Sequence, residues 1–467
     1  MTPGQDEPAI PALLPHGPGH QFVCYADSCS GLPGALHEAT FAAVNAVVRR
    51  LQPAPEFLCF PGDAISGLTS DDVTLRAQWR HWFEEEMGWL DRRRTPLYLT
   101  PGNHDVYDAA SAAIWRDVMS DLPHNGPPGQ EAMSYVVRRG DLALVFVNTV
   151  PFALGGEGRA DVAWVEQALQ QAADARYKFV VGHYPAWPVN GYEAPYQRCL
   201  GTEDGQALWA ILVRHGVFAY LCSHLLAFDV QVHTGVLQIV TAGAGTAHRM
   251  PPETEYLHCV QLAVDMGGLR YQVLDNQGQR REWLRWPLRL PAAYDWPPMV
   301  PASTSTAEHG TAPERLVAWC FTGRAAVDGR GEPQTLLTGW LPGAGLAPLW
   351  IGVEGKEQQL VVQISPQAGR SPHRWAGPRL TPGQPFAYQL LLHPGMGPGG
   401  VLGRPSDTAP WSTLAGASPW GPERLPWLPH WAMGHGQRGP QDRPFRGQEL
   451  QMTTWSATCR FAELSAP

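Results

Sequence analysis

Short apolar runs and amphipathic stretches alternate along the first three-fifths of this chain. The runs Phe22–Ala26, Phe57–Phe60, Leu97–Thr100, Lys178–Val181 and Ala219–Cys222 read as buried strands. Between them, apolar positions recur at helical spacing over Ala35–Leu51, Thr74–Trp89, Ala110–Leu122, Val162–Ala173 and Gly205–Gly216. Ser134–Val137 and Leu142–Asn148 read as strands paired around the turn Arg139-Gly140-Asp141. Hairpins follow, Asp229–His233 with Val236–Ala242 and Leu257–Asp265 with Leu269–Asp275. Strand–helix alternation closed by hairpins predicts an α/β sandwich of mixed sheets over residues 21–286.

The pattern changes at Pro287. Residues 287–313 hold Pro-Pro, Ser-Thr-Ser-Thr and more proline, the composition of a linker. From residue 314 to 467 the helical period is gone. Short β-rich runs recur at Leu316–Phe321, Gln334–Trp340, Leu349–Val353, Gln359–Ile364, Phe386–Leu392 and Glu449–Trp455, with Gly and Pro between them. That spacing predicts an antiparallel β-sandwich. Residues 1–20 read as a disordered tail. No basic segment followed by an apolar one opens the chain, so no secretion signal is expected and a cytoplasmic location is.

Composition narrows the function classes. No apolar run approaches the roughly 20 residues of a membrane span. Net charge is −9, and the one run of three basic residues, Arg92-Arg93-Arg94, follows Asp91 at a helix end. A nucleic-acid backbone is therefore not an expected partner. The eight cysteines form no Cys-x-x-Cys pair, which argues against a structural zinc cluster. Cys24, Cys59, Cys222 and Cys259 lie in apolar runs and read as small core residues.

The chemistry sits at the ends of the predicted strands. Tyr25-Ala26-Asp27, Pro61-Gly62-Asp63, Gly102-Asn103-His104-Asp105, Gly182-His183-Tyr184-Pro185 and Cys222-Ser223-His224 each close an apolar run. In open α/β sheets ligands collect at that edge. Carboxylates, an amide oxygen and imidazoles gathered there form a ligand set for a divalent transition ion, and such an ion usually serves hydrolysis.

Together these motifs resemble the calcineurin-like metallophosphoesterases, and within them the purple (tartrate-resistant) acid phosphatase branch. Tyr177–Trp187, Ala219–His224 and Val240–Gly245 are similar to that branch. The resemblance spans roughly residues 20–285. It implies a bridging carboxylate at Asp63 and a metal site completed by Asn103, His183 and His224. It implies a second site with Asp27, but further ligands of that site differ here. Asp27-Ser28-Cys29 stands where the family has Asp-x-His, Ser66 where the branch has Tyr, and Ser223-His224-Leu225-Leu226 where the family has Gly-His-x-His. Cys29 as a thiolate, or Asp229 and His233 on the next strand, are candidate substitutes; a packed thiol and ordinary strand residues are the alternatives. The expected cofactor is Fe, Mn or Zn, as one ion, with a second as the alternative. The resemblance places His104 beside the scissile ester as proton donor, with Asp105 orienting it. Tyr107, Tyr184, Trp187 and Asn190 are candidates for substrate contact.

The expected activity is hydrolysis of a phosphate monoester or diester by a metal-activated water. The alternatives are a catalytically silent relative serving as a binding module, and a hydrolase of another ester. The C-terminal segment resembles a concanavalin-A-like (laminin-G-like) jelly roll through Leu336–Trp340, Ile351–Val353 and Phe445–Leu450. That resemblance implies a carbohydrate partner, with Trp375, Trp411, Trp420, Trp427 and Trp431 as a candidate platform and core packing as the alternative.

Overall fold

A computed structural model describes residues 8–150, 156–187, 198–233, 236–245 and 256–286. Further along it describes 315–327, 332–340, 349–364, 373–392, 401–406, 409, 412–417, 430–434 and 443–458. The linker, the first seven residues and Asn190 lie outside the described residues. The chain divides into two compact units, Met1–Val230 with Val236–Pro287, and Gln231–Gly235 with Leu288–Pro467.

The first half of the N-terminal unit comprises β1 (Ile10–Pro11), β2 (Gly19–Cys24), α1 (Leu36–Arg49), β3 (Leu51–Gln52), β4 (Leu58–Phe60), α2 (Asp72–His81), β5 (Leu97–Leu99) and α3 (Ala109–Val118). Then follow β6 (Tyr135–Arg139), β7 (Leu142–Phe146), α4 (Val162–Gln171), β8 (Tyr177–Val181), α5 (Thr202–Arg214), β9 (Ala219–Cys222), β10 (Phe228–His233), β11 (Val236–Thr241), β12 (His258–Asp265), β13 (Gly268–Asp275) and β14 (Arg280–Trp286). One sheet runs β14-β13-β12-β2-β4-β5, and β11-β9-β8-β7-β6 are consecutive strands of a second. β2, β4 and β5 are mutually parallel, as are β7, β8, β9 and β11. Their residues are buried almost throughout, as parallel strands covered on both faces require.

The sheets meet through aromatic contacts. Phe22 of β2 stands edge-on to Phe179 of β8 at 5.4 Å, and Tyr98 of β5 lies 6.0 Å from Phe146 of β7. On the outer face of the second sheet, α4 and α5 bury Val165, Leu169, Leu208 and Leu212. On the other side, Trp82 stacks on Phe41 of α1 at 6.0 Å and meets Phe60 of β4 edge-on. The helix expected over Thr74–Trp89 departs from α geometry there. Asp71 caps α2 by accepting from the Thr74 amide, and Trp82–Glu86 widens into a π turn. The Glu86 carboxylate accepts from the Ser30 hydroxyl and the Gly31 amide, holding the loop after β2.

Residues 8–20 are ordered, against the expected tail. β1 pairs with β3, the Leu13 amide donates to Gln261 Oε1, and the His16 amide donates to Asp265 Oδ2. Scattered apolar residues and prolines hid this, because the segment is anchored by long-range polar contacts rather than by a period of its own. β14 was likewise unforeseen; it completes a hairpin with β13. Cys24, Cys59, Cys222 and Cys259 are fully buried, as expected.

The C-terminal unit contains β15 (Arg315–Arg324), β16 (Gln334–Trp340), β17 (Leu349–Glu354), β18 (Gln359–Ile364), β19 (His373–Arg379), β20 (Pro385–Leu392), β21 (Val401–Arg404), β22 (Ser412–Thr413), β23 (Ala415–Ala417), β24 (His430–Met433) and β25 (Gln448–Thr458). Two antiparallel arrays, β24-β16-β17-β18-β19-β23 and β22-β21-β20-β15-β25, share one core. Trp375 is fully buried in that core, so it offers no platform to a sugar. Trp411, Trp420 and Trp427 lie outside the described residues.

His20, at the start of β2, braces the N-terminal unit at the edge remote from the strand ends. Its ring nitrogens lie 3.0 Å from Glu56 and 3.0 Å from Asp141. The Glu56 hydrogen bond, supported by Asp141 and opposed by burial, raises its pKa. A raised folded-state pKa gives stability that is present below the unfolded value of about 6.5 and fades as pH rises through the folded value. Replacing His20 with Gln is therefore expected to lower the urea midpoint most on the acidic side. A loss that grows with rising pH would contradict this.

Candidate metal centre

Asp27, Asp63, Asn103, His183 and His224 follow β2, β4, β5, β8 and β9, so both sheets deliver side chains to one edge. The loops that carry them are bent sharply. Asp27, Cys29, Asp63 and His224 have φ of 63°, 42°, 54° and 70°, in the left-handed region that non-glycine residues rarely occupy. Loop-to-loop hydrogen bonds hold them there. The Asp27 amide donates to Gly62 O, the Cys29 amide to Asp63 O, and the His224 amide to Asp27 Oδ2. The His104 amide donates to Asp63 Oδ1 at 2.8 Å.

Two glycines make this approach possible. A Cβ on Gly102 would lie 2.1 Å from Asp63 Oδ1, and one on Gly62 would lie 2.7 Å from His183 Nδ1. The glycine in each of the two motifs is thus required by the side chain of a neighbouring strand.

His183 is fully buried, and its tautomer follows from its neighbours. Nδ1 lies 2.8 Å from Pro61 O, which can only accept, so Nδ1 carries a proton. Nε2 then faces Asn103 Oδ1 at 3.1 Å, His224 Nδ1 at 3.1 Å and Asp63 Oδ2 at 3.4 Å. These are all electron-pair donors. An ion about 2.0–2.2 Å from nitrogen and oxygen ligands sets neighbouring ligands about 3 Å apart at right angles and about 3.5 Å apart in a tetrahedron. The observed separations fall in that interval, so the four side chains fit a divalent transition ion.

The electrostatics agree. Burial opposes a charged His183, yet the Asp63 carboxylate, with Asp27 behind it, pushes its pKa up to about 9. Without a cation, the donors hold a proton in its place. Burial and then the charge of Asp63 push Asp27 up to about 7. Asp63 itself is held low: burial would raise it, but His183 and His104 outweigh that. Burial, then His183, lowers the pKa of His224.

Several partners support these ligands. Ser223 Oγ donates to Pro61 O beside the His183 ring, and Thr149 Oγ1 accepts from the His183 and Tyr184 amides. Tyr184 stacks on His224 with ring centroids 4.1 Å apart and is fully buried. Ser223 could have been found as the neighbour of His224; Thr149 could not.

The expected role of Asp105 requires correction. Its carboxylate accepts from the backbone amides of Gly102, Ala64 and Ile65. His104 is oriented instead by Ser66 O, 2.9 Å from Nδ1, which leaves Nε2 facing Asp63 Oδ2 at 4.0 Å. Asp105 thus shapes the loop that presents Asn103 and His104.

Among the described residues, three groups of donors lie close enough to share a cation: Asp63–His183–His224, Cys29–Asp63–His104 and Glu38–His81–Glu86. Asp229 is buried but belongs to none of them, and the side chain of His233 is outside the description. Trp187 packs edge-on against Trp209 of α5 at 5.9 Å. Tyr107, half-buried, has its amide bonded to Ser111 Oγ.

The calcineurin-like phosphoesterase family profile matches residues 20–228. The chain is 28% identical to tartrate-resistant acid phosphatase type 5 of Mus musculus over 283 residues, covering 56% of this chain and 82% of that protein. It is 25% identical to the Homo sapiens protein of the same name over 244 residues, covering 48% and 70%. Among solved structures it is similar to a purple acid phosphatase from yellow lupin seeds, with a TM-score of 0.42 and 13% identity over 57% of this chain and 53% of that one. Residues 20–228 are a calcineurin-like phosphoesterase domain. The protein is accordingly a metal-dependent hydrolase acting on phosphate esters.

Gly102→Ala is expected to displace Asp63 and to weaken cation binding about 10- to 100-fold, the usual cost of disturbing a ligand's support, with the circular dichroism spectrum retained. Unchanged affinity by calorimetry would show that Asp63 does not depend on this approach.

Proposed function

We propose that this protein hydrolyses small phosphate esters, monoesters or diesters, around one resident ion of Fe, Mn or Zn held by Asp63, Asn103, His183 and His224. The observation that carries this reading is the convergence of three electron-pair donors, Asn103 Oδ1, His224 Nδ1 and Asp63 Oδ2, at 3.1–3.4 Å around a fourth, His183 Nε2. A bound divalent cation supplies Lewis acidity to a phosphoryl oxygen and lowers the pKa of its water.

The chain's own residues supply the rest. The Pro61 carbonyl fixes the His183 ring so that Nε2 keeps its lone pair for the ion. Tyr184 covers one face of His224 and holds its plane. His104 is the exposed imidazole of the set, with 29% of its side chain open to solvent. Ser66 O fixes its Nδ1 proton, so Nε2 is the atom that gives a proton to the leaving alkoxide or steadies charge on the phosphoryl oxygens. Half-buried Tyr107 is the remaining candidate for substrate contact, whereas Tyr184, fully buried against His224, is a support for that ring. For the C-terminal unit we propose a jelly-roll topology.

Turnover of aryl phosphates is expected to vanish after chelation and to return with Mn²⁺, Fe²⁺ or Zn²⁺. His104→Ala is expected to lower kcat about a hundred- to ten-thousand-fold while keeping the ion held by His183 and His224. Unchanged turnover in that variant would remove His104 from the chemistry.

A further inference from the structure

His104 takes its orientation from a backbone atom that is itself held from a distance. Ser66 O accepts from His104 Nδ1 at 2.9 Å, and the Leu68 amide donates to His104 O at 3.1 Å. Segment 66–68 is therefore the frame of the imidazole. Its other contacts run away from the metal centre. The Ser66 amide donates to Ser30 O at 2.7 Å, and the Gly67 amide donates to Gln78 Oε1 at 2.8 Å. Ser30 is fixed in turn by Glu86, whose carboxylate accepts from the Ser30 hydroxyl and, at 3.2 Å, from the Gly31 amide.

Burial works against both of these side chains. Only 3% of the Glu86 side chain is open to solvent, and Gln78 is 4% exposed. Burial holds the Glu86 carboxyl above its usual range, against the hydrogen bonds from Ser30 and Gly31. Their buried neighbours on the same helical segment, Leu75, Trp79 and Trp82, are apolar. A buried polar side chain is destabilising unless its hydrogen bonds are made. The bonds made here end on two loops that border the centre. The π turn that carries Glu86 is a local irregularity of a kind that recurs at functional sites.

We propose that Glu86 and Gln78 are positioning residues for His104. Glu86 acts through Ser30, Gln78 acts through Gly67, and between them they fix the Ser66 carbonyl that orients the ring. This rests on the phosphoesterase reading above and deepens it by naming what holds the proton donor in place. Every link is a hydrogen bond, so removing either side chain frees one side of the frame. A displacement of about 1 Å in a reacting group costs about a hundredfold in rate. The loss falls on the chemical step, because His104 stands outside the four-donor set that holds the ion.

The test is a double-mutant cycle on the metal-loaded full chain with an aryl phosphate, joined to a crystal structure of the variant. Glu86→Ala is expected to lower kcat about 10- to 100-fold, with KM and bound metal little changed. In the His104→Ala background the same change should cost less than about twofold, because the ring it positions is gone. Glu86→Gln keeps an acceptor oxygen and should recover most of the loss. In the Glu86→Ala crystal, Ser66 O and His104 Nδ1 should part beyond about 3.5 Å, the limit of a hydrogen bond. Should Glu86→Ala fail to fold, Gln78→Ala carries the same expectations. A kcat loss of equal size with and without His104 would overturn the proposal. So would unchanged kcat in the folded variant, a His104 ring still bonded to Ser66, or Glu86→Gln no faster than Glu86→Ala. Those results leave the phosphoesterase reading standing. No turnover by wild-type protein loaded with each ion would sink that reading, and this proposal with it.

Discussion

Four electron-pair donors crowd one point at the edge of this fold, and they cannot stay there without a positive charge between them. His183 Nε2, Asn103 Oδ1, His224 Nδ1 and Asp63 Oδ2 come from four different strand ends. None of these atoms except a protonated ring nitrogen can donate to another. In the ion-free protein, His183 holds a proton for this reason, with its pKa raised to about 9 by Asp63 and Asp27 against the opposing effect of burial. A divalent cation meets the same need more fully, because it satisfies all four atoms at once. His104, with 29% of its side chain exposed, stands 4.0 Å from the same Asp63 oxygen.

The backbone is organised around that constraint. Asp27, Cys29, Asp63 and His224 each adopt a conformation that costs about 1–3 kcal/mol in an ordinary residue. The cost is offset by amides that bond across loops and by aromatic layers that fix the strands beneath them. Phe22 against Phe179 and Tyr98 against Phe146 set the two sheets at a distance that lets their ends meet. Gly62 and Gly102 remove the last Cβ atoms that would keep Asp63 and His183 apart.

Much of this was legible in the sequence, and the limits have physical causes. The alternation of apolar runs and helical periods gave the α/β unit, because buried parallel strands are nearly uniform in hydrophobicity. The residues proposed as ligands stood out in the sequence because each lies within three positions of the end of such a run. Asp105 was misread: its place beside His104 suggested contact, but consecutive residues in a turn point apart, and its carboxylate serves backbone amides. Ser66 was noted only as a departure from a family pattern, yet its carbonyl, which no side-chain pattern encodes, orients His104. Thr149 and Pro61 act through long-range contacts with no local period. The ordering of residues 8–20 was hidden for the same reason. Trp375 illustrates the remaining ambiguity, since a tryptophan in a strand reads equally as platform or core until its partners are known.

The most direct measurement is anomalous X-ray diffraction at the absorption edge of the bound metal. The account requires a peak about 2.0–2.2 Å from His183 Nε2, His224 Nδ1 and oxygens of Asn103 and Asp63. A metal found elsewhere on the chain, or an empty space among these atoms in protein that turns over substrate, would contradict it.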